Sequence, residues 1–81
     1  MEIKVLGPGS PNCKLLEKLA REAALEAGVE ATFTKVSAIK DIMSYPIVST
    51  PGLVINGEVV CSGRIPQKAE IVSWMAAAAQ A

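Results

Sequence analysis

A chain of 81 residues is short enough to fold as one domain, residues 1–81, and a hydrophobic content of 51% is sufficient for one compact core. Eight basic and eight acidic residues give a formal net charge of zero, which argues against nucleic acid or an anionic membrane as a partner. Histidine is absent, and Phe, Tyr and Trp occur once each, which argues against a histidine-based metal or catalytic site and against a base-stacking surface.

The first half of the chain predicts a strand, a helix and a second strand. Residues 3–6 form a short apolar run that a Gly-Pro-Gly loop ends. Ser10 is a good N-cap because proline follows it at the first helical position. Apolar residues then recur at helical spacing over residues 12–27, and Gly28 is expected to cap this helix. Residues 29–34 alternate apolar and polar side chains, as a half-buried strand does.

The middle of the chain predicts a short helix and a hairpin. Residues 37–45 fit a helix that Pro46 ends, and we expect three of its side chains to face inward, namely Ile39, Ile42 and Met43. Residues 53–55 are a continuous apolar strand. Asn56-Gly57 is a strong hairpin-turn signal, so residues 58–61 are expected to return antiparallel to that strand.

The last helix is expected to begin at Pro66. It carries an apolar stripe that should be buried, consisting of Ile71, Trp74, Met75 and Ala78. The element order is therefore βαβ, helix, β-hairpin, helix. This order predicts an α/β fold with a four-stranded mixed sheet, covered by helices on both faces.

The chain shows no signal for export or membrane insertion. Met1 leads directly into a strand-like run, and no apolar stretch approaches the roughly 20 residues of a membrane span. Two cysteines are too few for a secreted disulfide framework and, without histidine, make a poor metal site. We therefore expect a cytoplasmic protein with no metal and no cofactor, in which a disulfide would be transient.

Cys13 lies in the first turn of the predicted first helix. Free backbone N–H groups and the helix dipole favour a thiolate there, although a small buried apolar residue is an equally good interpretation of this cysteine alone. Thr50-Pro51 precedes an apolar strand, where proline favours a cis bond that exposes the backbone before it; a rigid trans loop is the alternative. Both segments belong to the same end of the sheet, so Pro51 is expected to face Cys13.

Cys61 lies on the return strand of the predicted hairpin. A two-residue turn at Asn56-Gly57 places Gly52 opposite Cys61, next to Pro51. Two strand spacings, about 10 Å, then separate Cys61 from the start of the first helix, more than the about 7 Å between Cα atoms that a disulfide spans. We expect a free thiol, with a disulfide to Cys13 as the less favoured alternative.

Several motifs together resemble one family. They are Gly7-Pro8-Gly9-Ser10-Pro11-Asn12-Cys13-Lys14, Met43-Ser44-Tyr45, Ser49-Thr50-Pro51 with Leu53-Val54-Ile55-Asn56-Gly57, and Ser62-Gly63-Arg64-Ile65-Pro66. The whole chain resembles the small prokaryotic thioredoxin-like proteins called redox-active disulfide proteins, which are similar to thioredoxin and glutaredoxin. The resemblance implies a minimal thioredoxin-like fold, a Cys-Pro-Asn-Cys active loop and a cis proline at Pro51.

The sequence departs from this family at the centre of the active loop. Family members attack a substrate disulfide with the first cysteine and resolve the mixed disulfide with the second. Here Ser10 stands in the first position, and a serine hydroxyl does not ionise near neutral pH without a strong base. Cys13 matches the resolving cysteine. Ser10 reflects either a natural loss or an engineered replacement of cysteine.

The resemblance implies a thiol–disulfide oxidoreductase that is limited here to monothiol chemistry through Cys13. Its substrate would be a disulfide-containing protein or a small thiol, and a thiol reductase would be a further partner. The candidate residues are Ser10 and Cys13 for catalysis, Pro11, Asn12, Thr50 and Pro51 for substrate binding, and Cys61 as a second thiol.

Two other functional hypotheses remain open. The first is a non-catalytic binding module, in which a groove beside Pro51 accepts an extended peptide by backbone pairing and Cys13 is inert core. The second is a dimer joined through Cys13 or Cys61, although we expect a monomer.

Overall fold

The computed structural model describes residues 1–80, which form four strands and three helices in a single sheet-centred arrangement. The strands are β1 (Glu2–Leu6), β2 (Thr32–Val36), β3 (Gly52–Ile55) and β4 (Glu58–Ser62), and the helices are α1 (Pro11–Ala27), α2 (Ile39–Ile42) and α3 (Lys68–Ala79). The sheet order is β2-β1-β3-β4, with β1 parallel to β2 and β3 antiparallel to both β1 and β4. The predicted α/β fold with a four-stranded mixed sheet is confirmed.

The larger apolar core lies between one face of the sheet and the helices α1 and α3. Alternate residues of β1 and β3 point to this face because successive strand side chains project to opposite sides. Its buried members include Ile3, Val5, Leu53 and Ile55 of the sheet, Leu16 and Ala20 of α1, and Ile71 and Met75 of α3. Trp74 and Ala78 pack at the edge of this core and are only partly buried.

A smaller apolar cluster covers the opposite face of the sheet. It contains Leu6 from β1, Val54 from β3 and Ile42 from α2, with Tyr45 and Ile47 packed against it. Side chains of β3 are therefore buried on both faces, which explains why this strand is a continuous apolar run in the sequence.

Both ends of α1 follow the predicted local chemistry. The helix begins at Pro11, and the Ser10 side chain caps it by accepting a hydrogen bond from a backbone N–H of the first turn. Gly28 ends it with φ of 68°, a left-handed conformation that glycine adopts without steric cost. The predicted boundaries of this helix are confirmed.

The second strand begins three residues later than the alternation of residues 29–34 predicts. The backbone N–H of Val29 bonds to the carbonyl of Ala24 at 3.1 Å and so completes the end of α1. The strand β2 runs instead from Thr32 to Val36, because these residues pair in register with β1. Pairing with the existing strand therefore overrides the local alternation.

The second helix is much shorter than the predicted residues 37–45. Only Ile42 of the three expected inward residues is buried; Ile39 is 71% exposed and Met43 is 76% exposed, so the inward assignment of these two residues is wrong. A helix of four residues presents one side chain to the sheet. Tyr45 and Ile47, which follow the helix, supply the remaining cover.

The last helix begins at Lys68, two residues after the predicted start at Pro66, which is fully buried. Glu70 closes the first turn by accepting a hydrogen bond from the backbone N–H of Gln67 at 2.8 Å. Its carboxylate also receives two hydrogen bonds from the Arg64 guanidinium, at 3.1 and 3.2 Å. None of the helices in residues 1–80 has the length and apolar character that a membrane crossing requires.

Candidate redox site

The register of β1 and β3 brings the two predicted halves of the site together. Leu6, the last residue of β1, pairs with Gly52, the first residue of β3. The loop after β1 therefore lies beside the segment that precedes β3. The Thr50–Pro51 peptide bond in that segment is cis.

Cys13 lies in the first turn of α1, under Ser10. The backbone N–H of Cys13 donates to the Ser10 Oγ at 3.4 Å, and the Ser10 hydroxyl donates to the Cys13 Sγ at 3.2 Å. Cys13 is only 5% exposed, whereas Pro11 and Asn12 at the tip of the same turn are exposed. The loop thus presents its proline and asparagine to solvent and keeps its sulfur inside.

Gly7 makes room for this sulfur. A Cβ atom added to Gly7 would collide with the Cys13 Sγ, and the Cβ of Thr50 lies 3.7 Å from the same position. The sulfur therefore occupies space over Gly7 that any other residue would fill, and Thr50 borders that space. Sequence reasoning treated Gly7 only as a loop residue. Its position directly before Pro8-Gly9-Ser10 was the feature of the sequence that could have indicated its role beside the cysteine.

Thr50 and Pro51 differ in exposure. Thr50 is exposed, and within residues 1–80 its backbone N–H and carbonyl form no backbone hydrogen bond. Pro51 is buried, and its carbonyl accepts a hydrogen bond from the backbone N–H of Gly63 at 2.8 Å. The backbone of Thr50 before the proline thus lacks a backbone partner within residues 1–80, while the proline itself is held by the loop after β4.

A cavity of about 210 Å³ opens beside Cys13. Sequence reasoning missed it because its wall includes Lys35, which reaches the site only through the pairing of β2 with β1 opposite Val5. Glu17, one helical turn after Cys13, also lines it, and that spacing was the signal in the sequence.

Glu17 is held by two cations. Its carboxylate lies 3.2 Å from the Lys35 Nζ and 3.0 Å from the Arg21 Nε. Burial raises the pKa of Glu17, but the hydrogen bonds and the positive charges of Lys35 and Arg21 together lower it by more, so this pKa lies below its ordinary value of 4.5. The carboxylate is therefore ionised at neutral pH, and its negative charge is balanced by Lys35 and Arg21.

Cys61 does not lie where the hairpin prediction placed it. It pairs with Leu53 rather than with Gly52, because a register shift between Leu53 and Val54 puts one extra residue into β4. Its sulfur is buried, 3.9 Å from the carbonyl of Arg64. Both cysteines are free thiols, and β3 lies between the strand of Cys61 and the strand that leads to Cys13.

Comparison with known proteins agrees with this architecture. Residues 1–76 match the family model described as the thioredoxin domain. A thioredoxin of Methanothermobacter thermautotrophicus is 41% identical over 71 residues, which cover 88% of this chain and 92% of that protein. A thioredoxin of Methanocaldococcus jannaschii is 32% identical over 69 residues, which cover 85% of this chain and 79% of that protein. The chain belongs to the thioredoxin domain family and is a thioredoxin-like redox protein.

Proposed function

We propose that this protein catalyses thiol–disulfide exchange by a monothiol mechanism, with Cys13 as its reactive group. One observation carries the proposal: the Cys13 sulfur lies at the start of α1, between Gly7 and the Ser10 hydroxyl and bordered by Thr50. Cys61, the other thiol of residues 1–80, lies on β4 and faces the core. Cys13 is therefore the thiol available to the active loop.

The proposed reaction has two exchange steps. The Cys13 thiolate attacks one sulfur of a substrate disulfide, so that a new sulfur–sulfur bond forms, the substrate bond breaks, and the departing thiolate takes a proton from water. An external thiol then attacks the mixed disulfide and releases Cys13. That thiol comes from a small molecule or a thiol reductase, because Ser10 has no sulfur with which to resolve the intermediate.

Ser10 has a positioning role in this proposal. By the resemblance, it would stand in the position of the family's first cysteine; it caps α1 and donates a hydrogen bond to the Cys13 sulfur. Pro11 and Asn12 are the exposed tip that a substrate would meet first. The free backbone of Thr50, next to Pro51, would pair with an extended segment of a disulfide-containing protein.

Trapping of the mixed disulfide tests the proposal. The Cys61→Ser variant is reduced, mixed with an excess of a small symmetrical disulfide, and analysed by mass spectrometry. We expect one adduct, on Cys13, that an added thiol removes. The matched variant Cys13→Ser, with Cys61 retained, should form this adduct far more slowly. Absence of an adduct on Cys13 would contradict the proposal.

Insulin reduction provides a second test of the proposed function. The native chain should reduce insulin disulfides poorly, because each turnover needs an external thiol to release Cys13. Ser10→Cys would place a second sulfur next to the first, where the Oγ–Sγ separation is now 3.2 Å, and should restore rapid turnover. Equal inactivity of Ser10→Cys and the native chain would count against the assignment of this loop.

A non-catalytic binding module is the second candidate. The deep burial of Cys13 and the unpaired backbone of Thr50 favour it. In that case Cys13 would react with iodoacetamide no faster than free cysteine does, and Cys13→Ala would leave peptide binding unchanged. A faster reaction of Cys13 would favour the monothiol mechanism.

A further inference from the structure

The size and charge of the cavity beside Cys13 indicate which class of substrate reacts there. This inference rests on the proposed function. Its wall includes the sulfur-bearing Cys13, the backbone of Gly7, the apolar Val5, and three charged residues, Lys14, Glu17 and Lys35. At about 210 Å³ it is smaller than the roughly 300–1,000 Å³ of pockets that hold drug-sized ligands. One half of a small organic disulfide fits such a space, whereas a folded protein does not.

Because the Cys13 sulfur is buried, the cavity provides a route by which reagents can reach it. The 5% exposure of Cys13 and the Ser10 hydroxyl over its sulfur restrict a direct approach from the loop surface. The cavity lies on the side of Cys13 that faces β2, away from the exposed Thr50. A reagent small enough to enter it can therefore reach Cys13 without pairing to the Thr50 backbone.

The charges of the cavity favour an anionic reagent. Glu17 is already paired with Lys35 and with Arg21, so its carboxylate is neutralised. Lys14 has no ion pair within residues 1–80 and lies next to Cys13 in the chain. The ammonium group of Lys14 is therefore available to a carboxylate or sulfonate on a ligand in the cavity.

We propose that the cavity selects anionic low-molecular-weight disulfides as substrates, with Lys14 as the residue that determines this specificity. The Cys13 thiolate attacks the nearer sulfur, a mixed disulfide with one half of the molecule forms, and the other half leaves as a thiolate that takes a proton from water. A second molecule of a small thiol attacks the mixed disulfide and regenerates Cys13.

Two methanethiosulfonates of similar size test the charge preference on reduced Cys61→Ser protein. Their 2-sulfonatoethyl and 2-(trimethylammonio)ethyl groups differ in sign, and both form a disulfide with Cys13 as methanesulfinate leaves. We expect the ratio of the anionic to the cationic rate to be roughly fivefold higher for Cys13 than for free cysteine. This is the size of effect that one partly exposed charge pair produces. Added salt should reduce this preference.

A matched pair of lysine variants assigns the preference to the cavity. Lys14→Gln should bring the rate ratio of the two reagents close to that of free cysteine. Lys18→Gln removes the same charge from the same helix but does not line this cavity, so it should retain the preference. Thermal unfolding of both variants verifies that they are folded.

The outcomes separate this inference from the proposed function. Equal relative rates for the two reagents, or the same loss in Lys18→Gln as in Lys14→Gln, would overturn the cavity assignment and leave the monothiol mechanism standing. Failure of both reagents to modify Cys13 would overturn both. An anionic preference that only Lys14→Gln removes supports the cavity as the substrate site.

Discussion

The Ser10 hydroxyl lies 3.2 Å from the Cys13 sulfur and donates a hydrogen bond to it. The same oxygen accepts a hydrogen bond from the Cys13 backbone N–H at 3.4 Å. One side chain thus caps α1 and covers the sulfur. Serine is therefore well suited to the structure of this turn, although it lacks the sulfur that a dithiol cycle needs.

Replacement of Ser10 by alanine should destabilise the protein by about 1 kcal/mol, the usual contribution of an N-cap hydroxyl. Urea unfolding measures this change. Ser73→Ala is the matched control, since Ser73 is exposed within α3 and caps nothing; it should change stability by less than about 0.5 kcal/mol. Equal effects of the two variants would show that the Ser10 cap contributes nothing.

Gly7→Ala should destabilise the protein by about 1–3 kcal/mol, because the new Cβ collides with the buried Cys13 sulfur. Gly7 has no positive φ, so the collision rather than backbone strain is the cause. In a double-mutant cycle with Cys13→Ala, which removes the sulfur, much of this cost should disappear. Additive effects in urea unfolding would contradict the contact.

Glu70 should make the stability of the fold pH-dependent. Hydrogen bonds from the Arg64 guanidinium, and then from the backbone N–H of Gln67, hold the pKa of Glu70 below its ordinary value of 4.5. A carboxyl whose pKa is lower in the folded state stabilises it above the unfolded pKa, and this contribution disappears as the pH falls through the folded pKa. Glu70→Gln should therefore lower the melting temperature at neutral pH and make little difference in acid.

Glu58→Gln is the matched control for this measurement. Glu58 is exposed at the start of β4 and has no ion pair within residues 1–80. The variant loses the same charge without touching the Arg64–Glu70 pair. If it reproduces the pH-dependent difference in melting temperature, net charge rather than this pair is responsible.

Ile42 and Met43 should respond very differently to alanine. Ile42 is 8% exposed and packs against Leu6 and Val54, so Ile42→Ala should cost about 2 kcal/mol or more. Met43 is 76% exposed, and Met43→Ala should stay within about 0.5 kcal/mol of the native chain. Chemical denaturation of the two variants measures both values, and similar losses would contradict the observed orientation of α2.

Local chemistry predicted the elements that depend on near neighbours. The cap by Ser10, the proline at the start of α1 and the glycine at its end each act within one turn, and the structure confirms them. The hairpin turn at Asn56-Gly57 is likewise set by the backbone freedom of two adjacent residues, with φ of 49° and 83°. Local signals were weaker for α2, because a single helical turn does not determine by itself which side chains face the sheet. Ile39 and Met43 are exposed for this reason.

The sequence by itself determined the order of the elements, the family resemblance and the position of Cys13 in the first turn of a helix, because all of these arise from local pattern and motif. Tertiary structure alone decided that the sulfur lies over Gly7, that Lys35 joins Glu17 beside it, and that Cys61 pairs with Leu53. These relations depend on strand register and on a bulge, which arise from packing between segments distant in the chain.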